Sequence, residues 1–310
     1  MSKISIVIPV YYSADTLLLL YEDMKAKILP QLGEYELVFV DDGSGDDSWQ
    51  ILEQIRAMDS RVVCVKLSRN FGEHAALLAG LSISSGDCAV TKQADLQEDS
   101  EIILEMYDSW KRGNKVVLAV REKRDEGAVK KFFARLYYLM IRSFVNKTMP
   151  LQGCDCYLLD RQVIKVLEML DERNSSLTLQ VLWTGFACDH VLIHRKNREV
   201  GKSRWTMKKK FKLVKDSLIS FSEWPIHLMV RLGFVFFILA IILSIVVIVE
   251  YFMNGIPIIG WASLMCVVLL SFGIIMLALG ILGEYIWRAL DASRNRPPYI
   301  VDEVKKEGDD

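Results

Sequence analysis

From Leu232 to Val249 the chain runs through 18 residues without a charge, LGFVFFILAIILSIVVIV. At about 1.5 Å per residue such a helix covers roughly 27 Å, close to the hydrocarbon thickness of a bilayer. A second uncharged stretch extends from Tyr251 to Gly283, and its inner part, Trp261 to Leu282, is again long enough to cross. Gly255, Pro257 and Gly260 fall between the two and mark a turn. A buried core helix is usually shorter and amphipathic. The pattern therefore predicts a hairpin of two transmembrane helices, at about 231–253 and 260–283. The turn carries no Lys or Arg, whereas Arg231, Arg288, Arg294 and Arg296 flank the outer ends, so both termini should face the cytoplasm. Lys3 leads straight into a strand pattern with no secretory leader before it. The expectation is a multi-pass protein of the inner (plasma) membrane with its first domain in the cytosol. Trp261, Tyr285 and Trp287 read as interface anchors, and because two-span anchors with apolar faces can associate, a homo-oligomer stays open.

The remaining composition narrows the chemistry. The six cysteines (Cys64, Cys88, Cys154, Cys156, Cys188 and Cys266) form no CxxC pair and accompany no His cluster, so neither a disulfide framework nor a zinc site is expected. Cys154 and Cys156 read as small packing residues. No nucleic-acid partner is expected.

Up to about residue 120, short β-branched runs alternate with longer helical patterns, which predicts a parallel sheet with crossover helices. Strands are expected at Ile4–Val10, Glu36–Val40, Val62–Leu67, Cys88–Thr91 and Lys115–Val120. Helices are expected at Asp15–Leu29, Asp47–Met58, Glu73–Ser84 and Ser100–Arg112, with Ser44 or Asp46 capping the second. This is a Rossmann-like, doubly wound α/β arrangement, in which ligands bind beyond the carboxyl ends of the strands. Three loops there are polar: Pro9-Val10-Tyr11, Asp41-Asp42-Gly43-Ser44 and Gln93-Ala94-Asp95-Leu96-Gln97. No GxGxxG follows the first strand, which counts against a dinucleotide.

Two further segments mix apolar and basic residues at helical spacing. One lies at about 128–146, with Phe132, Leu136, Leu139 and Ile141 among Lys130, Lys131, Arg135 and Arg142; the other runs from Lys208 to Met229. Either can pack on the soluble domain or dock on a membrane, and adjacency to the first span favours docking for the second. The resulting division is a cytosolic domain over 1–207, an amphipathic helix over 208–229, the membrane hairpin over 230–284 and a cytosolic tail over 285–310.

Asp41 and Asp42 at a strand end can accept hydrogen bonds from a base or ribose, although Asp-Gly-Ser is also ordinary turn chemistry. Asp95 and Gln97 could share one hard divalent ion bridging a diphosphate. With VIPVYY at the start, these residues make the chain resemble the family-2, GT-A-type glycosyltransferases that act on polyprenyl phosphates. The likeness covers nearly the whole chain. It runs through LSRNFGEHAALLAGLSISSGD (67–87), ADLQED (94–99), GCDCYLLDR (153–161), GKSRW (201–205) and GILGEYIWR with RPPYIV (280–301), and the closing stretch looks most like bacterial undecaprenyl-phosphate sugar transferases.

The resemblance implies a GT-A nucleotide-sugar-binding domain in which Pro9, Tyr11 and Asp41 hold a uridine-type base and Asp42 helps with the ribose. It implies that Asp95 and Gln97 bind Mg²⁺ or Mn²⁺ and that Asp155 lies near the acceptor. Arg198, Lys202 and Arg204 match a basic stretch facing phosphates, joined by Arg121. Three positions depart from the family pattern: Gln93 replaces the first carboxylate of Asp-x-Asp, Tyr157 replaces an expected Arg, and Tyr12-Ser13-Ala14 replaces acidic residues. The implied reaction is an inverting transfer of a sugar, glucose first by family frequency, from a UDP-linked donor to undecaprenyl phosphate. Two other readings are a processive polysaccharide synthase, suggested by Arg204-Trp205, and a membrane scaffold of weak activity, suggested by Gln93.

Overall fold

The computed structural model describes residues 2–122, 128–170, 176–193, 224–254 and 260–308, together with 217, 219, 221 and 222. The chain divides into one unit of Met1–Ser217 with Pro297–Asp310, and a second of Leu218–Arg296.

The first unit is built on the expected alternation. Strands β1 (Lys3–Val10), β2 (Glu34–Asp41), β3 (Val62–Leu67) and β4 (Cys88–Thr91) are parallel, linked by helices α1 (Ala14–Lys27), α2 (Ser48–Met58) and α3 (Glu73–Ile83). These strands are almost continuous β-branched runs because both of their faces are covered. Ile4, Ile6, Ile8 and Phe39 pack with Leu17, Leu20 and Met24 of α1 in one core, each such side chain contributing about 1.5–3 kcal/mol through burial. One end assignment differs: Asp47 takes the cap position of α2. Asp46 Oδ1 still accepts from Ser48 N at 3.3 Å, while Ser44 Oγ accepts instead from Tyr12 N at 3.0 Å.

Helix α3 lies unusually close to the sheet. A Cβ on Gly80 would stand 2.3 Å from Val7 Cγ1 and 2.9 Å from Val40 Cγ2. Only a residue without a side chain permits that approach, which sets how closely this part of the helix lies on the sheet.

Beyond α4 (Ile102–Lys111) the sheet departs from an all-parallel plan. Strands β5 (Val116–Arg121), β6 (Cys154–Asp160), β7 (Cys188–Ile193) and β8 (Val301–Lys305) complete eight strands in the order β7-β5-β6-β4-β1-β2-β3-β8. β6 is antiparallel to both β4 and β5, and β8 is antiparallel to β3. The physical cause for β6 is its point of entry. Cys154 pairs with Val120, so β6 starts at the edge where β5 ended and must run back. Its first residues therefore stand at the carboxyl edge of the parallel strands. Asp160 at its other end caps α6 (Arg161–Met169), accepting from Gln162 N at 2.9 Å. Cys154 and Cys156 are buried, unpaired packing residues.

Helix α5 (Ala128–Phe144) occupies the first amphipathic segment; Leu136, Leu139, Arg135 and Arg142 are exposed and Ile141 is buried. Helix α7 (Leu177–Trp183) precedes β7. The tail returns to the sheet as β8, covering the edge that β3 would otherwise expose. Lys305 pairs with Glu53 and lies 5.8 Å from the Trp49 ring centre, and Arg56 Nη1 donates to Lys306 O at 3.1 Å.

The second unit holds α8 (Trp224–Asn254, 31 residues) and α9 (Trp261–Ser293, 33 residues). Among the described residues one stretch, Leu270–Ser293, is long and apolar enough to cross a membrane, with a mean hydropathy of 1.8. The expected pair of spans is thus matched in one member. Most of the Lys208–Met229 segment lies outside the described residues.

Candidate functional site

The carboxyl ends of β1, β2, β3, β4 and β5 and the start of β6 meet along one edge of the sheet, and they carry most of the residues singled out above. After β1, Tyr11 and Tyr12 are exposed, their rings 4.8 Å apart and edge to face. Tyr12 has φ of +53°, an uncommon conformation for an aromatic residue that costs on the order of 1–3 kcal/mol. It is held by the bond from its amide to Ser44 Oγ, and its hydroxyl reaches Gly45, where a Cβ would come within 2.8 Å. Pro9 lies in β1 itself, opposite Val40.

Asp41 and Asp42, adjacent at the end of β2, have different surroundings. Asp42 is fully engaged: Oδ1 accepts from Phe71 N at 2.7 Å, and Oδ2 accepts from Gly72 N and Asn70 Nδ2, both at 2.9 Å. It clamps the loop after β3 to the end of β2. Gly43 makes the clamp possible, because at φ +68° a Cβ would stand 2.7 Å from the Arg69 and Asn70 backbone. Asp41 accepts from Ser44 N at 3.1 Å through Oδ1, but its buried Oδ2 has no partner among the described residues. Burial raises the carboxyl pKa of both, opposed at Asp41 by the Ser44 hydrogen bonds and at Asp42 by the Phe71 and Gly72 amides. A buried acceptor without a donor is costly, and here it stands at the edge where the fold receives ligands.

The loop after β4 is braced from beneath. Lys92, almost fully buried, donates from Nζ to Glu98 O at 3.0 Å and so closes the loop on itself. Within it Asp95 Oδ1 accepts from Gln97 N at 3.2 Å, and Leu96 takes φ of +55°. Among the described residues no group of three or more His, Cys, Asp or Glu could hold a metal. The half-buried Asp95 suits a cation that arrives on a diphosphate, since Mg²⁺ is commonly held by one or two carboxylates with substrate phosphates and waters completing its shell. The residues fit a divalent ion carried in with its nucleotide.

Arg121 ends β5, half-buried, within electrostatic reach of Cys154. Asp155 is the second residue of β6, brought to this edge by the reversal of that strand. Tyr157 does not face the site as a phosphate contact would. It is buried, its hydroxyl lies 2.6 Å from Thr178 Oγ1, and its amide donates to Thr91 Oγ1 at 3.0 Å. The expected Arg is replaced by a core residue. Arg198, Lys202 and Arg204 lie outside the described residues.

Sequence reasoning missed Glu73, the first residue of α3, whose Oε1 accepts from Gln93 Nε2 at 2.6 Å. The usable signal was topological: the loop after β3 opens on the same edge as the other three, and Glu73 is the carboxylate that follows it. Next to it, burial pushes the His74 imidazole down to about 4, so it is neutral at physiological pH.

Residues 5–168 match the family model described as glycosyl transferase family 2. Over 299 residues, 96% of this chain and 92% of the other, the sequence is 37% identical to the uncharacterized glycosyltransferase YkcC of Bacillus subtilis. It is 31% identical over 305 residues, 98% of this chain and all of the other, to a prophage bactoprenol glucosyl transferase homolog of Escherichia coli. Among solved structures, glucosyl-3-phosphoglycerate synthase from Mycobacterium tuberculosis in complex with uridine diphosphate superposes with a TM-score of 0.50 at 19% identity, over 70% of this chain and 79% of that one. That likeness concerns the fold.

Proposed function

Since this chain belongs to glycosyltransferase family 2, we propose that it transfers a sugar, glucose in the first instance, from a UDP-linked donor to undecaprenyl phosphate at the cytoplasmic face of the membrane. The observation that carries the donor half is the unpartnered Asp41 Oδ2 at the end of β2, beside the Tyr11–Tyr12 pair. A uracil or ribose offers the N–H or O–H that this oxygen lacks, and an exposed aromatic ring offers a stacking face. The acceptor half rests on similarity along nearly the whole chain to relatives named as bactoprenol glucosyl transferases.

The chemistry asks little of a base. The second ionisation of a phosphate monoester falls near pH 6, so a lipid phosphate oxygen is already largely charged at neutral pH. That oxygen attacks the anomeric carbon as the bond to the nucleotide diphosphate breaks on the opposite face, with inversion. Asp155 orients the acceptor, and Asp42 keeps the donor loop in register. Arg121 and the basic run with Arg198, Lys202 and Arg204 stabilise the phosphates as charge develops on the leaving group. When bound, Mg²⁺ or Mn²⁺ at Asp95 and Gln97 supplies further neutralisation there.

The anchor in this reading has two spans. The chain leaves the sheet unit after Ser217 and rejoins the same sheet at β8, so any bilayer crossings between them come in pairs. Leu270–Ser293 therefore calls for a partner, and α8 exposes Phe234, Phe237, Ile242 and Phe252 along its length, as a lipid-facing helix would. Lipid-linked product formed from purified protein, undecaprenyl phosphate and a panel of nucleotide sugars tests the whole proposal; no product with any donor sinks it. A polymeric product would favour a processive synthase.

A further inference from the structure

The transferred sugar has to be held at the carboxyl edge of the sheet if that edge receives the donor, and one carboxylate on that edge has no role so far. Glu73 opens α3, one residue after Gly72, whose amide is pinned to Asp42 Oδ2 at 2.9 Å. Burial is the main cause of the raised Asp42 carboxyl pKa, and the nearby Glu73 charge adds to it. Gln93 Nε2 donates to Glu73 Oε1 at 2.6 Å. An ionised carboxylate only accepts, so the Gln93 amide must turn its NH₂ towards it. The second oxygen of Glu73 and the carbonyl oxygen of Gln93 are then left as adjacent acceptors. Glu73 is exposed, and no cation among the described residues pairs with it. Two neighbouring acceptor oxygens match two neighbouring hydroxyls of a pyranose.

Resting on the transfer reading above, we propose that Glu73, oriented by Gln93, reads the hydroxyls of the donor sugar. Glu73 is then a specificity-determining residue, and Gln93 is a positioning residue that acts through it. The presence of an amide at position 93, where a carboxylate would repel Glu73, has its cause in this pairing.

The test uses the full chain in detergent with UDP-glucose, its monodeoxy analogues and UDP. Hydrogen bonds to a charged group predict that Glu73→Ala lowers kcat/KM for UDP-glucose by about 10- to 100-fold. The variant should lose the wild-type preference for UDP-glucose over at least one deoxy analogue, while calorimetric affinity for UDP is unchanged. Gln93→Ala should move the same preference by a smaller factor. Variants that discriminate among the analogues as the wild type does would overturn the proposal. So would a large change in UDP affinity or in the Mn²⁺ concentration for half-saturation, either of which would assign Glu73 to the diphosphate. If the wild-type chain transfers from no donor, the transfer reading fails by itself. Calorimetry then decides the present point: wild type should bind UDP-glucose more tightly than UDP, and Glu73→Ala should bind both alike, equal margins in the two proteins refuting it.

Discussion

Neighbouring aspartates at the end of β2 should respond oppositely to truncation. Asp42→Ala removes the acceptor for Phe71 N, Gly72 N and Asn70 Nδ2. The asparagine side chain can turn away, but the two half-buried amides cannot, and each donor left unmade costs about 1–3 kcal/mol. Removing a carboxylate whose pKa is raised by burial returns part of this, leaving a net loss of about 2–4 kcal/mol. For a unit of this size that is roughly a 5–15 °C fall in the melting transition. Asp41→Ala gives up its hydrogen bonding to Ser44 and also removes an orphaned buried oxygen, so its stability should stay within about 1 kcal/mol of wild type. UDP binding should reverse the ranking, with Asp41→Ala losing affinity at full stability. The assay is hydrogen exchange on the full chain in detergent, read at the Phe71 and Gly72 amides, together with thermal melting and UDP calorimetry. Unchanged exchange at those amides in Asp42→Ala, or a lower melting point for Asp41→Ala than for Asp42→Ala, would refute the clamp.

Other perturbations have equally definite signs. Lys3, Ser5 and Ser85 overcome burial and hold the Glu36 carboxyl down to about 2, from 4.5. A depressed folded pKa gives stability present above the unfolded value and lost as pH falls from about 4.5 to about 2. Glu36→Gln should therefore cost about 3 kcal/mol at neutral pH, with the gap to wild type closing across that window in pH-dependent melts. Gly80→Ala should destabilise by about 1–3 kcal/mol as α3 is pushed off Val7 and Val40. A variant with wild-type melting would show that the sheet yields instead. Deleting 297–310 removes β8 and exposes β3. The truncated chain should melt lower and aggregate in light scattering, and unaltered melting would mean that β8 adds nothing to the sheet.

Much of this molecule is legible locally. β-Branched runs, helical spacing and uncharged stretches are properties of consecutive residues, so the first five strands and the first four helices follow from periodicity to within a residue or two, whereas the two apolar C-terminal helices extend seven and ten residues beyond the expected spans, at the start of one and the end of the other. The polar loops at the carboxyl ends follow as well, since parallel strands separated by helices must open their turns on one edge. Three decisions rest on residues far apart in the chain, which no local pattern contains. The reversal of β6 depends on its pairing with β4 and β5, and it puts Asp155 at the carboxyl edge of the parallel strands. The return of β8 to β3 depends on contacts across more than two hundred residues. The engagement of Asp42 by Asn70, Phe71 and Gly72, and the bond between Glu73 and Gln93, depend on how the loops after β2, β3 and β4 meet at the sheet edge. Residue type supplies a carboxylate; only the packed neighbours decide whether its oxygens are already satisfied or remain open for a ligand.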